Sequence, residues 1–297
     1  MKYGNVYIKR KIILFLLLML MTCGMTAGHC FFAEISGANA KAEDAGSIKS
    51  GNESVFLPVI MYHSVKDGCE GQGEYVISAE TLEEDLKWLD ENGYETVFVE
   101  DVINYVKYGG NLPDNPVMIT FDDGMLDNMK TAFRVMEKYG ARGVYSVVGS
   151  YCEGEYGYMT WADILEFDSS PLVEIQNHSF EMHGLESRKG SSRMKGEGLC
   201  QYITAFASDA SKMQILLEEK AGIKAECYTY PFGIISEETV PVLKCLGFEA
   251  SLTCYERENI ITRGDSDCLY LINRYNRGCG ESTEKFMKRM GMTDKSK

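Results

Sequence analysis

The chain contains four histidines, and His29 lies in an apolar N-terminal segment. The other three follow short apolar runs: His63 after Val59-Ile60-Met61-Tyr62, His178 after Val173-Glu174-Ile175-Gln176, and His183 five residues later. Asp122-Asp123-Gly124 likewise follows Val117 to Phe121. Two imidazoles and one carboxylate leave coordination positions open for water and substrate, a donor set suited to a hydrolytic Zn2+ site or a non-haem iron site. Paired acids allow a division of labour, in which one binds the metal while its neighbour, pointing elsewhere, takes a proton from water. Taken alone, Asp-Asp-Gly is more often a turn capping the next helix, and a histidine at a strand end is more often structural. It is their coincidence at strand ends that argues for a site. A spacing of five puts side chains about 140° apart on a helix and on opposite faces of a strand. An irregular turn must therefore bring His178 and His183 together, and the one-face helical HExxH arrangement is absent.

The elements that must position these groups are read from hydrophobic period. Apolar runs at 58–61, 96–99, 117–121, 143–148, 173–176, 226–230 and 250–253 read as buried strands. Between them, 78–92 reads as a helix with Leu82, Leu86 and Leu89 on one stripe and Gly93 as its stop. The stretch 125–139 reads as another, with Leu126, Met129, Phe133 and Met136 inward, and 236–246 as a third. Strands apolar on both faces, alternating with helices, imply a parallel sheet. About seven such repeats predict an α/β fold, a distorted (β/α) barrel of TIM type in a single domain. In such a barrel the C-terminal strand ends share one rim, which is where the acids and histidines fall. The polar, Gly-rich stretch 184–199 reads as a long loop.

Composition limits the partners. Of 297 residues, 30 are basic and 44 acidic, a net charge of −14; after residue 40 the balance is 26 against 43. Nucleic acid is excluded as a partner for want of a basic footprint, and membrane contact is expected only through the N-terminal segment. There Lys9-Arg10-Lys11 precedes ten apolar residues, Ile12 to Met21. Residues 1–33 therefore read as a signal peptide or, if uncleaved, a membrane anchor, with 34–54 as a flexible linker and 55–297 as the domain. An extracytoplasmic location, secreted or anchored, follows. The eight cysteines beyond the leader form no CxxC pair, so a thiolate metal site has no support; Cys268 with Cys279 is a plausible local disulfide.

Thr120-Phe121-Asp122-Asp123-Gly124 followed by Asn177-His178-Ser179-Phe180-Glu181-Met182-His183 resembles the polysaccharide deacetylase family, the NodB homology domain of carbohydrate esterase family four. Leu57 to Ser64 is similar to the opening of its PgaB- and IcaB-like subgroup. The resemblance runs from about Val55 to Met290 and takes in Asn92-Gly93-Tyr94, Thr160-Trp161, Tyr230-Pro231-Phe232-Gly233 and Asn273-Arg274. It implies Asp122 as catalytic base, Asp123, His178 and His183 as metal ligands, and the backbone N–H of Phe232 as an oxyanion donor. The cofactor it implies is a divalent ion, Zn2+ first, with Co2+, Ni2+ or Fe2+ open. The family usually places a catalytic histidine late in the chain, and no histidine follows His183. In the subgroup that role falls at the N-terminal end, where His63 matches it. Thr229 stands where many members have an arginine that steadies the base; Arg274 could substitute or be a surface residue. Trp161 and Tyr230 could wall a sugar site or simply be core.

The resulting expectation is an exported, metal-dependent hydrolase that removes N-acetyl groups from a GlcNAc-containing polysaccharide of the cell envelope or an exopolysaccharide. Two alternatives stay open: an O-acetyl esterase acting on an acetylated glycan, and a catalytically inactive glycan-binding module. A non-haem iron oxygenase shares the donor set, but the alternating strand-helix pattern does not suggest its all-β scaffold.

Overall fold

The computed structural model describes residues 53–68, 71–186 and 188–293. The expected leader at 1–33 and most of the linker at 34–54 lie outside the described residues, as does Cys69. Ser54 already belongs to a strand. The chain runs β1 (Ser54–Phe56), β2 (Val59–Tyr62), β3 (Ser64–Lys66), β4 (Val76–Ser78), α1 (Ala79–Glu91), β5 (Glu95–Thr96), α2 (Val99–Lys107) and β6 (Pro116–Phe121). A π-helical turn (Asn128–Ala132) leads into α3 (Phe133–Lys138), then β7 (Gly143–Val147), α4 (Trp161–Phe167), β8 (Val173–Asn177), α5 (Leu199–Ala221) and β9 (Cys227–Thr229). It ends with α6 (Thr239–Leu246), β10 (Ala250–Leu252), β11 (Ile260–Thr262), β12 (Tyr275–Asn276) and α7 (Thr283–Arg289).

Seven strands form one curled parallel sheet in the order β10-β9-β8-β7-β6-β2-β12, with β5 paired beside β6. A parallel bridge from Leu252 to Ile272 joins the β10 end of that path to the segment entering β12. This is the barrel-like α/β architecture expected from the alternating runs. The strands β2, β6 and β7 are buried at every position, as a sheet covered on both faces requires. Fully burying each Val, Ile or Phe there is worth about 1.5–3 kcal/mol.

Four local expectations need correction. The run 96–99 is a strand only at Glu95–Thr96. The Asp101 carboxylate accepts the Phe98 N–H, and Glu174 accepts the N–H groups of Val99 and Glu100, so a helix starts at Val99. The stretch 125–139 is not one regular helix, because the π turn rotates its stripe. Asn128, Thr131, Ala132 and Met136 are buried, while Leu126, Met129 and Phe133 are only half-buried. α5, at 23 residues, has no counterpart among the expected helices, although Tyr202, Phe206, Met213 and Leu217 carry a helical stripe. Cys268 and Cys279 are both free thiols. Among the described residues, no helix is long and apolar enough to cross a membrane.

Glu174 links the sheet to α2, and its ionisation has a stability consequence. Burial pushes its carboxyl up to about 7, against the two N–H donors that favour the anion. A folded-state pKa above the ordinary value of about 4.3 contributes stability that is complete below that value and lost as pH rises through about 7. The urea midpoint is expected to fall between about pH 5 and pH 8, and to fall less in Glu174→Gln; equal slopes in the two proteins would disprove the linkage.

Candidate active site

His63, the two acids, His178 and the Tyr-Pro-Phe segment each sit just past the C-terminal end of a strand, whereas Arg274 immediately precedes β12. β2 delivers His63, β6 delivers Asp122 and Asp123, β8 delivers His178, and β9 delivers Tyr230, Pro231 and Phe232. All of these but Pro231 line one cavity of about 640 Å³, together with Met61, Glu74, Tyr75, Met125, His183 and Arg274.

The two adjacent acids sit on a left-handed turn, Asp123 at φ 70° followed by Gly124 at φ 74°. An L-residue there carries strain of about 1–3 kcal/mol. A Cβ on Gly124 would come within 3.0 to 3.3 Å of Val147, so the turn needs glycine for both conformation and space. Asp122 faces the barrel interior. Arg274 grips it with two hydrogen bonds, Nη1 to Oδ1 at 2.6 Å and Nη2 to Oδ2 at 2.7 Å. The guanidinium also donates to Thr120 Oγ1 and to the Thr253 carbonyl and is fully buried. Burial alone would raise the Asp122 carboxyl; Arg274 and then His178 outweigh it and hold the group below the usual carboxylate range.

Asp123 meets both imidazoles, whereas Asp122 approaches only His178, with Oδ2 3.9 Å from Nε2. Its Oδ1 lies 3.0 Å from His183 Nε2 and 3.5 Å from His178 Nε2. The turn that joins the histidines begins at Ser179, also left-handed at φ 71°, whose N–H donates to Asn177 Oδ1 at 2.9 Å. Their ring centroids are 5.1 Å apart. Of the four left-handed non-glycine residues among those described, Asp123, Ser179 and Phe232 lie at this site.

The donor set fits a divalent cation. His178 Nδ1 is 2.8 Å from the Thr229 carbonyl, which can only accept, so that nitrogen carries the proton and Nε2 presents a lone pair toward Asp123. Asp123 Oδ1 is buried without a hydrogen-bond partner. One donor atom from each of Asp123, His178 and His183 lies within 4.8 Å of the others. Acceptors converging in this way repel one another unless a cation sits among them, and an N2O set with open positions suits Zn2+ or another divalent first-row ion.

His63 has burial pulling its imidazole below the ordinary value, against the carboxylates of Asp122 and Asp123. Its Nδ1 is buried with no hydrogen-bond partner, so no carboxylate orients the ring from behind. The ring instead meets the edge of Tyr75, with centroids 4.8 Å apart, and its backbone is clamped from the π turn. Asn128 Nδ2 donates to the His63 carbonyl at 2.6 Å, and Asp127 accepts from Ser64 Oγ and the Val65 N–H. Phe232, at φ 57°, packs its ring 4.5 Å from that of His183. A Cβ on Gly233 would lie 2.2 Å from Cys254 Sγ, which explains the glycine after it.

Residues 109–251, which carry both acids, both paired imidazoles and the Pro-Phe-Gly turn, match the polysaccharide deacetylase family. The match covers just under half of the chain. It is 25% identical over 223 residues to the poly-beta-1,6-N-acetyl-D-glucosamine N-deacetylase of Escherichia coli (strain K12), covering 65% of this chain and 33% of that protein. It is 22% identical over 188 residues to the protein of the same name from Staphylococcus aureus (strain MRSA252), covering 62% of each. The chain thus spans about a third of the first relative's length and under two thirds of the second's. IcaB from Ammonifex degensii shares the fold, with a TM-score of 0.65 at 22% identity over 81% of this chain and 97% of that one.

Of the two residues open between a sugar wall and core, one lies outside this cavity and one reaches its lining. Trp161 does not line the cavity; it opens α4 and donates its indole N–H to Glu153. Tyr230 reaches the lining but is fully buried among Tyr228, Val242 and Leu243, and its hydroxyl donates to Thr239. Arg274, open between a surface and a positioning role, is buried against Asp122. Asn128, Asp127 and Asn177 support the site without having been expected from the sequence, because short polar side chains beside a motif look like ordinary turn residues.

Two outcomes are expected from substitution. Asp123→Ala, His178→Ala and His183→Ala should each lose bound metal by elemental analysis, whereas Asp122→Asn should keep it; equal loss in Asp122→Asn would reverse the assignment of the acids. Arg274→Met should lower stability by about 3–5 kcal/mol in urea titration, since it leaves Asp122 as an unpaired buried charge, and a change under about 1 kcal/mol would show that the pair is not needed.

Proposed function

We propose that this protein is a metal-dependent hydrolase that removes N-acetyl groups from a GlcNAc-containing polysaccharide, acting outside the cytoplasm. The observation that carries the reading is the differently partnered pair of acids: Asp122 held ionised by Arg274, and Asp123 facing two imidazoles in the same cavity. The relatives named as poly-beta-1,6-N-acetyl-D-glucosamine N-deacetylases support an acetylated glucosamine polymer as substrate. The basic, apolar start of the chain supports export.

A divalent ion held by Asp123, His178 and His183, with Zn2+ first among the candidates, would polarise the acetyl carbonyl and acidify water in the site. Asp122 takes the proton of the attacking water as the new C–O bond forms. Arg274 keeps that carboxylate ionised and fixes its direction. The backbone N–H of Phe232 helps hold the charge developing on the acetyl oxygen. As the C–N bond breaks, His63 gives its proton to the amine nitrogen, leaving acetate and a free amino sugar. Burial lowers the imidazole's affinity for protons, against the carboxylates of Asp122 and Asp123, which favours giving the proton up. Tyr75 beside His63 and Phe232 beside His183, both part-exposed, supply flat rings against which pyranose faces can pack.

Acetate release from a panel of β(1,6)-linked N-acetylglucosamine oligomers, chitin oligomers, peptidoglycan fragments and acetylxylan, with and without chelator, tests the proposal. Release from the N-acetyl substrates that chelator abolishes is expected; activity on acetylxylan alone would make the protein an O-acetyl esterase, and no release at all would leave a binding module. His63→Ala should retain metal and slow N-acetyl hydrolysis by roughly 10² to 10⁴, yet slow an activated acetyl ester far less, since that leaving group barely needs a proton. Equal slowing of both substrates would remove His63 from the acid role.

A further inference from the structure

The geometry of the two imidazoles depends on the four residues between them, and those residues are held by a helix outside the motif. The carbonyls of Ser179 and Phe180 accept N–H bonds from Gly149 and Ser150 beyond the end of β7. On the other side the carboxylate of Asp209, in the middle of α5, takes the N–H groups of Phe180 and Glu181, to Oδ1 and Oδ2 respectively, each at 2.9 Å. Its neighbours on the same turn of helix reinforce the grip. The Ala210 carbonyl accepts the Asn177 amide at 3.1 Å, and the Lys212 ammonium sits 3.2 Å from the centre of the Phe180 ring. Asn177 in turn accepts the Ser179 N–H that starts the left-handed step.

We propose that Asp209 is a positioning residue for the metal-holding pair His178 and His183, its carboxylate setting the separation and aim of the two imidazoles through the backbone between them. The inference rests on the reading that Asp123, His178 and His183 hold a divalent ion. A carboxylate has the right geometry for such a grip. Two consecutive N–H groups point the same way in a tight turn or at a helix start, and an anion that accepts both holds that conformation with two charge-assisted bonds. Its removal frees Phe180 and Glu181 to rotate, and the five-residue span then has no fixed bite.

The test is metal affinity in the full chain. Apoprotein prepared with chelator is titrated with Co2+ alone, whose visible spectrum reports ligand geometry. Asp209→Ala is expected to bind Co2+ roughly 10- to 100-fold more weakly than the unmodified chain, the usual cost of losing support for a metal ligand, and with an altered spectrum. Asp209→Asn, which keeps the shape and one acceptor, should weaken binding about 10-fold and serves if the alanine variant does not fold. Leu217→Ala, fully buried further along α5, controls for general loosening: a lower melting temperature with unchanged Co2+ affinity is expected. Unchanged affinity and spectrum in both Asp209 variants would overturn the proposal, as would an equal affinity loss in Leu217→Ala. If the unmodified chain takes up no Co2+, the metal reading itself fails and this inference falls with it, an outcome distinct from Asp209 variants that bind normally.

Discussion

The site depends on one backbone constraint, the left-handed turn at Asp123 and Gly124 that presents two sequence-adjacent carboxylates to different partners. In an extended strand end their side chains would alternate about the chain, but neither would be pinned. Here the step at Asp123 and the glycine after it, packed against Val147, turn the chain sharply enough that one acid enters the barrel and the other meets the imidazoles. The strain is tolerated because contacts on either side of the turn hold it: Asp122 is gripped by a two-point guanidinium contact, and Gly124 packs against Val147. Backbone conformation of this kind is stable only where surrounding contacts over-determine it.

Those contacts come through a polar barrel interior. Arg274 enters just before β12, runs past Thr120 and the Thr253 carbonyl, and reaches Asp122 fully buried. A second buried ion pair ties β2 to α1, where Asp85 accepts from Tyr62, Arg277 and Thr283. Buried pairs of this sort contribute little net stability against an apolar alternative, but losing one partner is costly. Their effect is to lock the register of β2 and β12 relative to β6, so that His63 and the acids arrive at one rim. The π turn after the acids adds a direct tie, since Asn128 holds the carbonyl of His63 itself. One loop therefore carries the proposed base and the proposed metal donor while also gripping the proposed acid.

The sequence alone determined the strand-helix alternation, the parallel sheet and the convergence of His63, Asp122, Asp123, His178 and His183 at strand ends, because burial on both faces imposes a continuous apolar run that period and length reveal. It also determined the need for an irregular turn between His178 and His183, from spacing alone. Only the tertiary structure decided which acid faces which partner, because a left-handed φ at Asp123 leaves no mark in residue type. The same holds for Arg274 against Asp122 and for Asp209 beneath the histidine turn: each pair is separated by dozens of residues, and nothing local distinguishes a gripping arginine or aspartate from a solvated one. Trp161 and Tyr230 are open in the sequence between a sugar wall and core for a related reason: an aromatic side chain is the same residue type in either place, and only the packing around it puts Trp161 outside the cavity and Tyr230 at its buried lining.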